Sequence, residues 1–358
     1  MNECYITRTG AFLPGEPVDN ESIHKYLGRV IGESRVREKI LTLNGIRTRH
    51  YALDEKQQPT HDLYDLASEA VKNCFAGDEV KVQYLSAGST NTPLVAPGLS
   101  TLLHERLRRK ALLSQPLEIN SNSGICSSGA QALVNAVRAI RSGDATAAVS
   151  VGVDQPSAIL KSKAFRPTYD IRTIIKDIRH SKWFMSVFLR FMLSDGAGAC
   201  VLQSEPNPNG LSLRVDWSYS RSFANEAPLC MKLESRSLRL SQDVRVLSKY
   251  MMPFGMKALS EALERHAVSL EEFDIILPHM SSYYFEPKVR ATIRKLAPGK
   301  EVPFWTNLKS AGNTGAASAY IMLDEFFRSR TLKPGERILL FVPESGQFNY
   351  VLISMTAV

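Results

Sequence analysis

The chain of 358 residues lacks any uncharged apolar run that approaches the roughly 20 residues needed to span a membrane. The nearest candidate, WFMSVFLRFML at 183–193, is short and contains Arg190. The first residues, MNECYITRTGAFLPGEP, lack the charged segment and the apolar run of a secretory signal peptide. These absences predict a cytoplasmic protein with no membrane span.

Cysteine is also scarce, because the chain has five cysteines, an odd number with no CxxC pair. This pattern argues against a disulfide framework and against a zinc or other metal site, and it fits a reducing compartment. The net charge is +8, but no block of Lys and Arg with interleaved aromatic residues indicates nucleic-acid binding. The densest basic cluster, RLRRK at 106–110, predicts a solvated helix face, with contact to a carrier protein or a phosphate as the alternative.

Strand-like and helical segments alternate along the chain, which predicts an α/β fold. Hydrophobic residues make up 44% and charged residues 22%, as in ordinary globular proteins with a full core. Apolar runs bounded by polar or glycine-rich segments predict strands at 82–90, 146–154, 196–204, 273–281 and 337–345.

An internal repeat connects two parts of the sequence. Residues 124–154 and 311–345 each begin with a turn rich in small residues, continue through a helical pattern, cross a loop that contains glycine and end in an apolar strand. The repeat predicts two related halves, 1–205 and 206–358, and the PNPNG segment at 206–210 is a plausible junction.

Cys126 lies among small residues at the beginning of a helical pattern, in the segment SNSGICSSGAQAL. Small residues allow backbone N–H groups to approach a substrate carbonyl, and the positive end of a helix favours a thiolate. We interpret Cys126 as a nucleophile, with a small buried hydrophobic residue at a tight turn as the alternative.

Two further residues occupy matching places. His279 ends the apolar strand FDIILP, at the kind of position where α/β sheets build their sites. Asn313, in SAGNTGAAS, is equivalent in the repeat to Cys126, although Asn is also a common N-cap residue. The other six histidines are interpreted as surface or core residues.

Together these motifs resemble the ketoacyl-ACP synthase III group of the thiolase superfamily. Cys126 in GICSSGAQAL, His279 in LPHMSS and Asn313 in AGNTGAAS follow the order of that family's Cys-His-Asn site. GIRTRH at 45–50, LSDGAGA at 193–199 and SGQFNYVLIS at 345–354 resemble its other landmarks. The resemblance covers nearly the whole chain and implies a five-layer αβαβα thiolase-like fold and a homodimer.

The resemblance also implies a mechanism without a resident cofactor. Cys126 would take an acyl group from a thioester, and a second substrate would become a carbon nucleophile. Both substrates would be carried on the phosphopantetheine of an acyl carrier protein or of coenzyme A. His279 and Asn313 would hydrogen-bond the thioester oxygen of the second substrate, and the backbone N–H groups of Cys126 and Gly346 would form an oxyanion hole.

Within the family, AFLPGEPVDNESI and GIRTRHYALD are most similar to ketosynthases that form dialkylresorcinol and stilbene precursors. That similarity implies addition of a β-ketoacyl thioester to an α,β-unsaturated acyl thioester and closure to a cyclohexanedione. Ring closure requires extra proton transfers. Asp154, at the end of the strand AAVSVGV, is a candidate acid/base for them, with a turn carboxylate as the alternative.

The sequence departs from the family in two places. Family members that load from coenzyme A carry a Trp and an Arg before the GIR motif, where this chain has Lys39 and Leu43. We therefore expect an acyl donor on a carrier protein. The segment at 166–192 is longer than in housekeeping members, and it predicts either a wall for a second acyl chain or a core helix that faces a dimer partner.

Three other functions remain open. One is chain initiation with malonyl-ACP to give an uncyclised product, and another is acyl transfer onto oxygen or nitrogen. The third is a non-catalytic partner subunit of a ketosynthase heterodimer. The presence of Cys126 argues against the last, and the presence of both His279 and Asn313 favours formation of a carbon–carbon bond.

Overall fold

The computed structural model describes residues 2–75, 80–330 and 332–358. Its strands are β1 (Tyr5–Phe12), β2 (Val18–Asp19), β3 (Thr48–Arg49), β4 (Tyr84–Ser89), β5 (Glu118–Ser123), β6 (Ala147–Asp154), β7 (Gly196–Gln203), β8 (Leu213–Ser222), β9 (Met231–Leu233), β10 (Leu240–Gln242), β11 (Ile275–Pro278), β12 (Arg337–Pro343) and β13 (Asn349–Ala357). Its α-helices are α1 (Ile23–Leu27), α2 (Arg37–Asn44), α3 (Leu63–Cys74), α4 (Leu99–Arg109), α5 (Ser127–Ser142), α6 (Ser157–Leu160), α7 (Ile171–Lys176), α8 (Lys182–Met192), α9 (Val244–Arg265), α10 (Glu286–Leu296), α11 (Leu308–Ala311) and α12 (Ser318–Ser329).

A nine-stranded mixed sheet in the order β11-β12-β13-β8-β1-β7-β6-β4-β5 forms the frame. In its first half, β4 is parallel to β5 and β6, and β7 is antiparallel to β6 and β1. In its second half, β11 is parallel to β12, and β13 is antiparallel to β12 and β8. A parallel bridge between Ile276 and Phe304 takes the place that β5 has in the first half. The strand order is therefore repeated, whereas the division between residues 205 and 206 stays a prediction.

The two half-sheets and three layers of helices make up five layers. Helices α5 and α12 pack with strands of both half-sheets in one apolar core. Helices α3 and α4 cover the outer face of the first half-sheet, and α9 and α10 cover the outer face of the second. The predicted αβαβα arrangement is confirmed.

The five strands predicted from apolar runs are present as β4, β6, β7, β11 and β12. Strand β6 is buried along its whole length, which explains why its sequence does not alternate between apolar and polar residues. The predicted ranges for β11 and β12 extended too far, because His279 and Glu344 follow the last paired residues of those strands. Both polar side chains thus lie at the carboxyl end of a strand.

Two glycines allow the elements of the site to meet. A Cβ atom on Gly129, in the first turn of α5, would lie 2.0 Å from the carbonyl oxygen of Ala316. A Cβ atom on Gly152, in β6, would lie 2.4 Å from the same oxygen. Only glycine fits at either position, so the beginning of α5, the end of β6 and the segment 313–317 are held in direct contact.

The most apolar run of the sequence forms α8, which packs into a core beside α2 and β10. Its charged residue, Arg190, is fully buried and donates from Nη1 to Oε2 of Glu33 at 2.6 Å. In the part of the chain that the structure describes, no helix combines the length and the apolar content that a membrane crossing requires.

Candidate active site

Cys126 occupies the N-cap position of α5 and is 8% exposed. It lines two cavities, one of about 50 Å³ and one of about 60 Å³. The first cavity also contains Asn313, and the second contains His279. The three residues of the predicted Cys-His-Asn site therefore come from α5, from the end of β11 and from the segment before α12, and they meet at two adjoining cavities.

Both cavities are mainly apolar. Aliphatic side chains from α8 and from β9 and β10 line the first, namely Leu189, Met192, Met231, Leu233 and Leu240. Methionine and aromatic side chains line the second, among them Met251, Met252, Met280, Phe285 and Phe341. Because methionine side chains are flexible, these narrow cavities can change their shape.

His279 is held by the sheet that it follows. Its backbone N–H donates to the carbonyl oxygen of Phe341 at 2.8 Å, which continues the pairing of β11 with β12. Burial lowers the pKa of the His279 imidazole to about 4. The ring is therefore neutral near pH 7, and it can donate a hydrogen bond from one nitrogen and accept one at the other.

Asn313 is fixed at both its backbone and its side chain. Its N–H donates to Met192, its carbonyl accepts from Ser194, and its side-chain Oδ1 accepts from the N–H of Gly315 at 3.0 Å. With the oxygen occupied in this way, the amide Nδ2 is the group that can donate into the first cavity. An N-cap role was the alternative for Asn313, but its side chain instead bonds within the turn before α12.

Gly346 lies close to the Cys126 segment. A Cβ atom on Gly346 would lie 3.3 Å from two side-chain atoms of Ile125, and its carbonyl accepts from the N–H groups of Cys230 and Met231. Among the residues that the structure describes, neither the Cys126 N–H nor the Gly346 N–H donates to the backbone of another residue in a turn or loop, and the Cys126 N–H points at its own sulfur. Two unpartnered N–H groups are what an oxyanion hole requires.

The surroundings of Cys126 raise the pKa of its thiol above the ordinary value. Burial is the main cause, and the negative charges of Glu344 and Asp154 add to it. The expectation that the helix end favours a thiolate is not met, because burial is the main cause of the raised pKa of the Cys126 thiol, and Glu344, whose Oε2 accepts from the N–H of Ser127, adds a negative charge at that end. The Cys126 side chain is therefore a thiol near pH 7, and it must lose its proton in any reaction that forms a bond to its sulfur.

Two family models match the segments that carry these residues. Residues 120–207, which include Cys126, match the N-terminal domain of beta-ketoacyl synthase. Residues 263–347, which include His279, Asn313 and Gly346, match the C-terminal domain of 3-oxoacyl-[acyl-carrier-protein] synthase III.

Solved structures match the chain over nearly its whole length. The 3-oxoacyl-[acyl-carrier-protein] synthase III from Aquifex aeolicus is 18% identical, with a TM-score of 0.73 over 99% of each chain. A tetronic acid condensing enzyme is 19% identical, with a TM-score of 0.76 over 99% of each chain. A variant of Xanthomonas campestris OleA with bound lauric acid and lauroyl-CoA is 18% identical, with a TM-score of 0.75 over 99% of each chain. At these identities the structures show the shared thiolase-like fold.

The comparisons support a ketoacyl-ACP synthase III-like protein. Each matched segment covers about a quarter of the chain and is similar to part of a ketoacyl synthase.

In this ketosynthase-like protein, the Asp154 carboxylate lines the first cavity but is fully engaged by hydrogen bonds. Its Oδ1 accepts from Ser89 Oγ at 3.0 Å and Thr90 N at 2.7 Å, and its Oδ2 accepts from Thr90 Oγ1 and Ala316 N, each at 2.7 Å. Burial raises the pKa of Asp154, and these hydrogen bonds oppose that rise. Such geometry favours a carboxylate that ties β4, β6 and the segment before α12 together.

The segment at 166–192 includes α7, α8 and the turn between them. Nine of the eleven residues of α8 are buried within this chain, so the helix is a core element. The same segment lines a third cavity of about 360 Å³ with Arg179, His180, Phe184, Met185, Phe188 and Met192. Met192 also lines the first cavity, so the segment forms part of a continuous wall around the site.

The rim of this third cavity holds an aromatic residue that the sequence analysis missed. Leu43 lines the cavity, as its position before the GIR motif suggested, and Lys39 is exposed. Tyr284, which precedes α10, also lines the cavity and is 49% exposed. The site therefore has an aromatic ring at its rim although none stands at the family's Trp position.

Glu344 is the second residue that the sequence analysis missed. It follows β12 directly, is 3% exposed and accepts hydrogen bonds from the turn that carries Cys126. The available signal was a polar residue at the end of a buried strand, which is the same signal that led to the prediction of His279. Nothing local in the sequence indicates that residues 344 and 126 are neighbours.

Proposed function

We propose that this protein is a ketosynthase-cyclase that joins a β-ketoacyl thioester to an α,β-unsaturated acyl thioester through an acyl-Cys126 intermediate. The product is a cyclohexanedione, a precursor of dialkylresorcinols or stilbenes. The observation that carries the proposal is that two separate apolar cavities meet at Cys126. A reaction that joins two alkyl-bearing substrates needs space for two chains beside one nucleophile.

In the first step, the Cys126 sulfur attacks the thioester carbonyl of the unsaturated substrate. The backbone N–H groups of Cys126 and Gly346 stabilise the oxyanion that forms. The carbon–sulfur bond to the carrier breaks, and the carrier thiolate leaves with the proton that the Cys126 thiol releases. Neutral His279 is a candidate to hold that proton between the two sulfur atoms.

In the second step, the β-ketoacyl substrate loses a proton from the carbon between its carbonyls and becomes the nucleophile. Nδ2 of Asn313 and the neutral His279 ring donate to its thioester oxygen while negative charge develops there. The nucleophile forms a bond to the β carbon of the acyl group on Cys126. The enolate that this addition leaves takes up the proton that the β-ketoacyl carbon released. The carbon on the other side of the ketone then attacks the acyl carbonyl and closes the ring, and its proton goes to the expelled Cys126 sulfur, which leaves as the thiol. Water hydrolyses the remaining thioester, so that the carrier leaves as its thiol and a carboxylated cyclohexanedione is released.

The third cavity is proposed as the path for the phosphopantetheine arm of an acyl carrier protein. It contacts the two inner cavities through Ser281, and Arg179 at its rim suits a phosphate group. Acylation of Cys126 should therefore be faster from an acyl-ACP than from the same acyl-CoA. The alternative is that the Tyr284 ring at the rim stacks on the adenine of coenzyme A and so favours an acyl-CoA donor. Acylation of Cys126 that is faster from acyl-CoA than from acyl-ACP would overturn the proposed preference.

We also propose a homodimer with no further cofactor. Strand β5 ends the sheet, and its Ile119 is 39% exposed, so it offers an unpaired edge for a second copy. Light scattering of the purified protein measures the mass of the assembly directly. A monomer at working concentration that retains full activity would contradict the dimer.

The proposed reaction is tested by incubation with a β-ketoacyl-ACP and an α,β-unsaturated acyl-ACP, followed by mass spectrometry of the small products. We expect a cyclohexanedione from the wild-type protein and none from Cys126→Ala. A linear ketoacyl product formed only with malonyl-ACP would establish chain initiation instead. Ester or amide products from an added alcohol or amine would indicate acyl transfer, and acyl-Cys126 that never turns over would indicate a non-catalytic subunit.

A further inference from the structure

Glu344 joins the two halves of the fold at the nucleophile. Its Oε2 accepts from the N–H of Ile125 at 3.1 Å, from the N–H of Ser127 at 3.3 Å and from the Ser127 hydroxyl. Its Oε1 accepts from Nδ2 of Asn349 at 2.9 Å. One carboxylate thus binds the residues on both sides of Cys126 and also β13.

All of these donors are uncharged. A buried negative charge is costly unless hydrogen bonds or a cation compensate for it. Here the compensation comes from backbone N–H groups at the beginning of α5 and from two polar side chains. The positive end of the α5 dipole is thereby directed at Glu344 as well as at the thiol.

The carboxylate does not face the substrate. The residues next to it along the chain, Pro343 and Ser345, line the cavities, whereas Glu344 lies behind the Cys126 turn. A Cβ atom on Gly346 would lie 2.8 Å from Oε1 of Glu344, so the carboxylate also packs against Gly346. Glu344 therefore acts on the reaction through other residues.

We infer that Glu344 is a positioning residue with two effects on Cys126. Its hydrogen bonds tie the Cys126 turn to Asn349 of β13 beside Gly346, and its negative charge adds to burial in disfavouring the thiolate form of Cys126. The consequence for catalysis rests on the proposed function, in which Cys126 is acylated. The effect on the thiol itself does not depend on that function.

Three titratable groups face Cys126 from the elements packed around it. Glu344 follows β12, Asp154 ends β6, and His279 follows β11. His279 is neutral near pH 7, and the Asp154 oxygens are taken by four donors. Glu344 is the carboxylate that bonds directly to the Cys126 turn, so its removal should have the larger effect on the thiol.

Glu344→Gln separates the two effects. The glutamine oxygen can still accept from the N–H groups of Ile125 and Ser127, and the Asn349 amide can turn to accept from the new NH₂ group. Glu344→Ala removes both the charge and the hydrogen bonds. Glu301→Gln, at an exposed carboxylate, is the control for the loss of one negative charge elsewhere.

The experiment measures the rate of alkylation of Cys126 by iodoacetamide between about pH 7 and pH 9, with peptide mass spectrometry to assign the modified cysteine. We expect Glu344→Gln to react about tenfold faster than wild type at each pH, which corresponds to about one unit in thiol ionisation. Glu301→Gln should react at the wild-type rate. A Glu344→Gln rate within twofold of wild type, or an equal gain in Glu301→Gln, would overturn the charge effect.

The hydrogen-bonding effect is tested by acylation from a thioester in the same variants. In Glu344→Ala, Cys126 should be alkylated faster than in wild type but acylated more slowly than in Glu344→Gln. The reason is that acylation also needs the oxyanion N–H groups to be in place. Equal acylation rates in the two variants would overturn this effect. A wild-type Cys126 that is alkylated but never acylated would contradict the proposed function and leave the alkylation result standing.

Discussion

A methyl group added at position 152 tests the packing that brings the site together. Gly152→Ala would place a Cβ atom 2.4 Å from the carbonyl oxygen of Ala316 and 2.7 Å from two ring carbons of Tyr320. The Ala316 oxygen cannot move toward α5, because it already lies against Gly129 there, so close that an added Cβ atom on Gly129 would be 2.0 Å from it. The segment 313–317 must therefore shift away from β6.

The cost of this shift can be worked out approximately. Overpacking of a rigid core costs about 1–3 kcal/mol, and a contact about 1 Å too short against backbone belongs at the upper end, near 3 kcal/mol. For 358 residues, an unfolding entropy of about 2.1 cal/mol/K per residue gives roughly 0.75 kcal/mol per kelvin. Gly152→Ala should therefore lower the Tm by about 4 °C.

Differential scanning calorimetry measures this change, and Gly210→Ala is the matched control. At Gly210 the nearest atom to an added Cβ is the end of the Asn207 side chain at 3.3 Å, which can move, so the Tm should change by less than about 1 °C. The displacement of Asn313 should also slow condensation more than acylation of Cys126. A Tm for Gly152→Ala within about 1 °C of wild type would refute this account of the packing.

Three further predictions concern the site. Burial lowers the pKa of His279 to about 4, so roughly 90% of the rings are neutral at about pH 5. Condensation should therefore keep most of its kcat/KM at that pH. A pH–rate profile with an acid midpoint near 6.5 would contradict this. Asp154→Asn should still give the cyclised product, because four donors already occupy the carboxylate; a folded variant that yields only uncyclised product by mass spectrometry would restore the acid/base role. Met231→Trp should fill part of the first cavity of about 50 Å³, so competition between short and long acyl thioesters should shift toward the short one; unchanged selectivity would show that the acyl chain lies elsewhere.

The features that the sequence could predict are those with a local signal. Buried strands such as β6 are continuous apolar runs, and the helix after Cys126 has regular apolar spacing, so both were predicted nearly to their ends. His279 and Asn313 were predicted as site residues because each stands at the end of a recognisable element and matches a family motif. The repeated strand order also follows from a repeat that is visible in the sequence.

The features that could not be predicted depend on contacts between distant segments. Glu344 and Ser127 are 217 residues apart in sequence, and their contact places a negative charge beside a Cys126 thiol whose pKa is raised mainly by burial. Tyr284 reaches the rim of the third cavity from a different half than Leu43. Spacing along the chain carries no information about such approaches, and burial of a thiol beside carboxylates is a property of the assembled fold.

The central claim is that Cys126 carries the acyl group in a reaction that forms a carbon–carbon bond. The most direct test of this claim is to measure the masses of the intact protein and of the Cys126 peptide by mass spectrometry. The masses are measured after exposure to an α,β-unsaturated acyl-ACP and again after addition of a β-ketoacyl-ACP. We predict one acyl group on the Cys126 peptide, which disappears as a product containing both chains forms. Product formation by Cys126→Ala at the wild-type rate, or an acyl group on another residue, would contradict the claim.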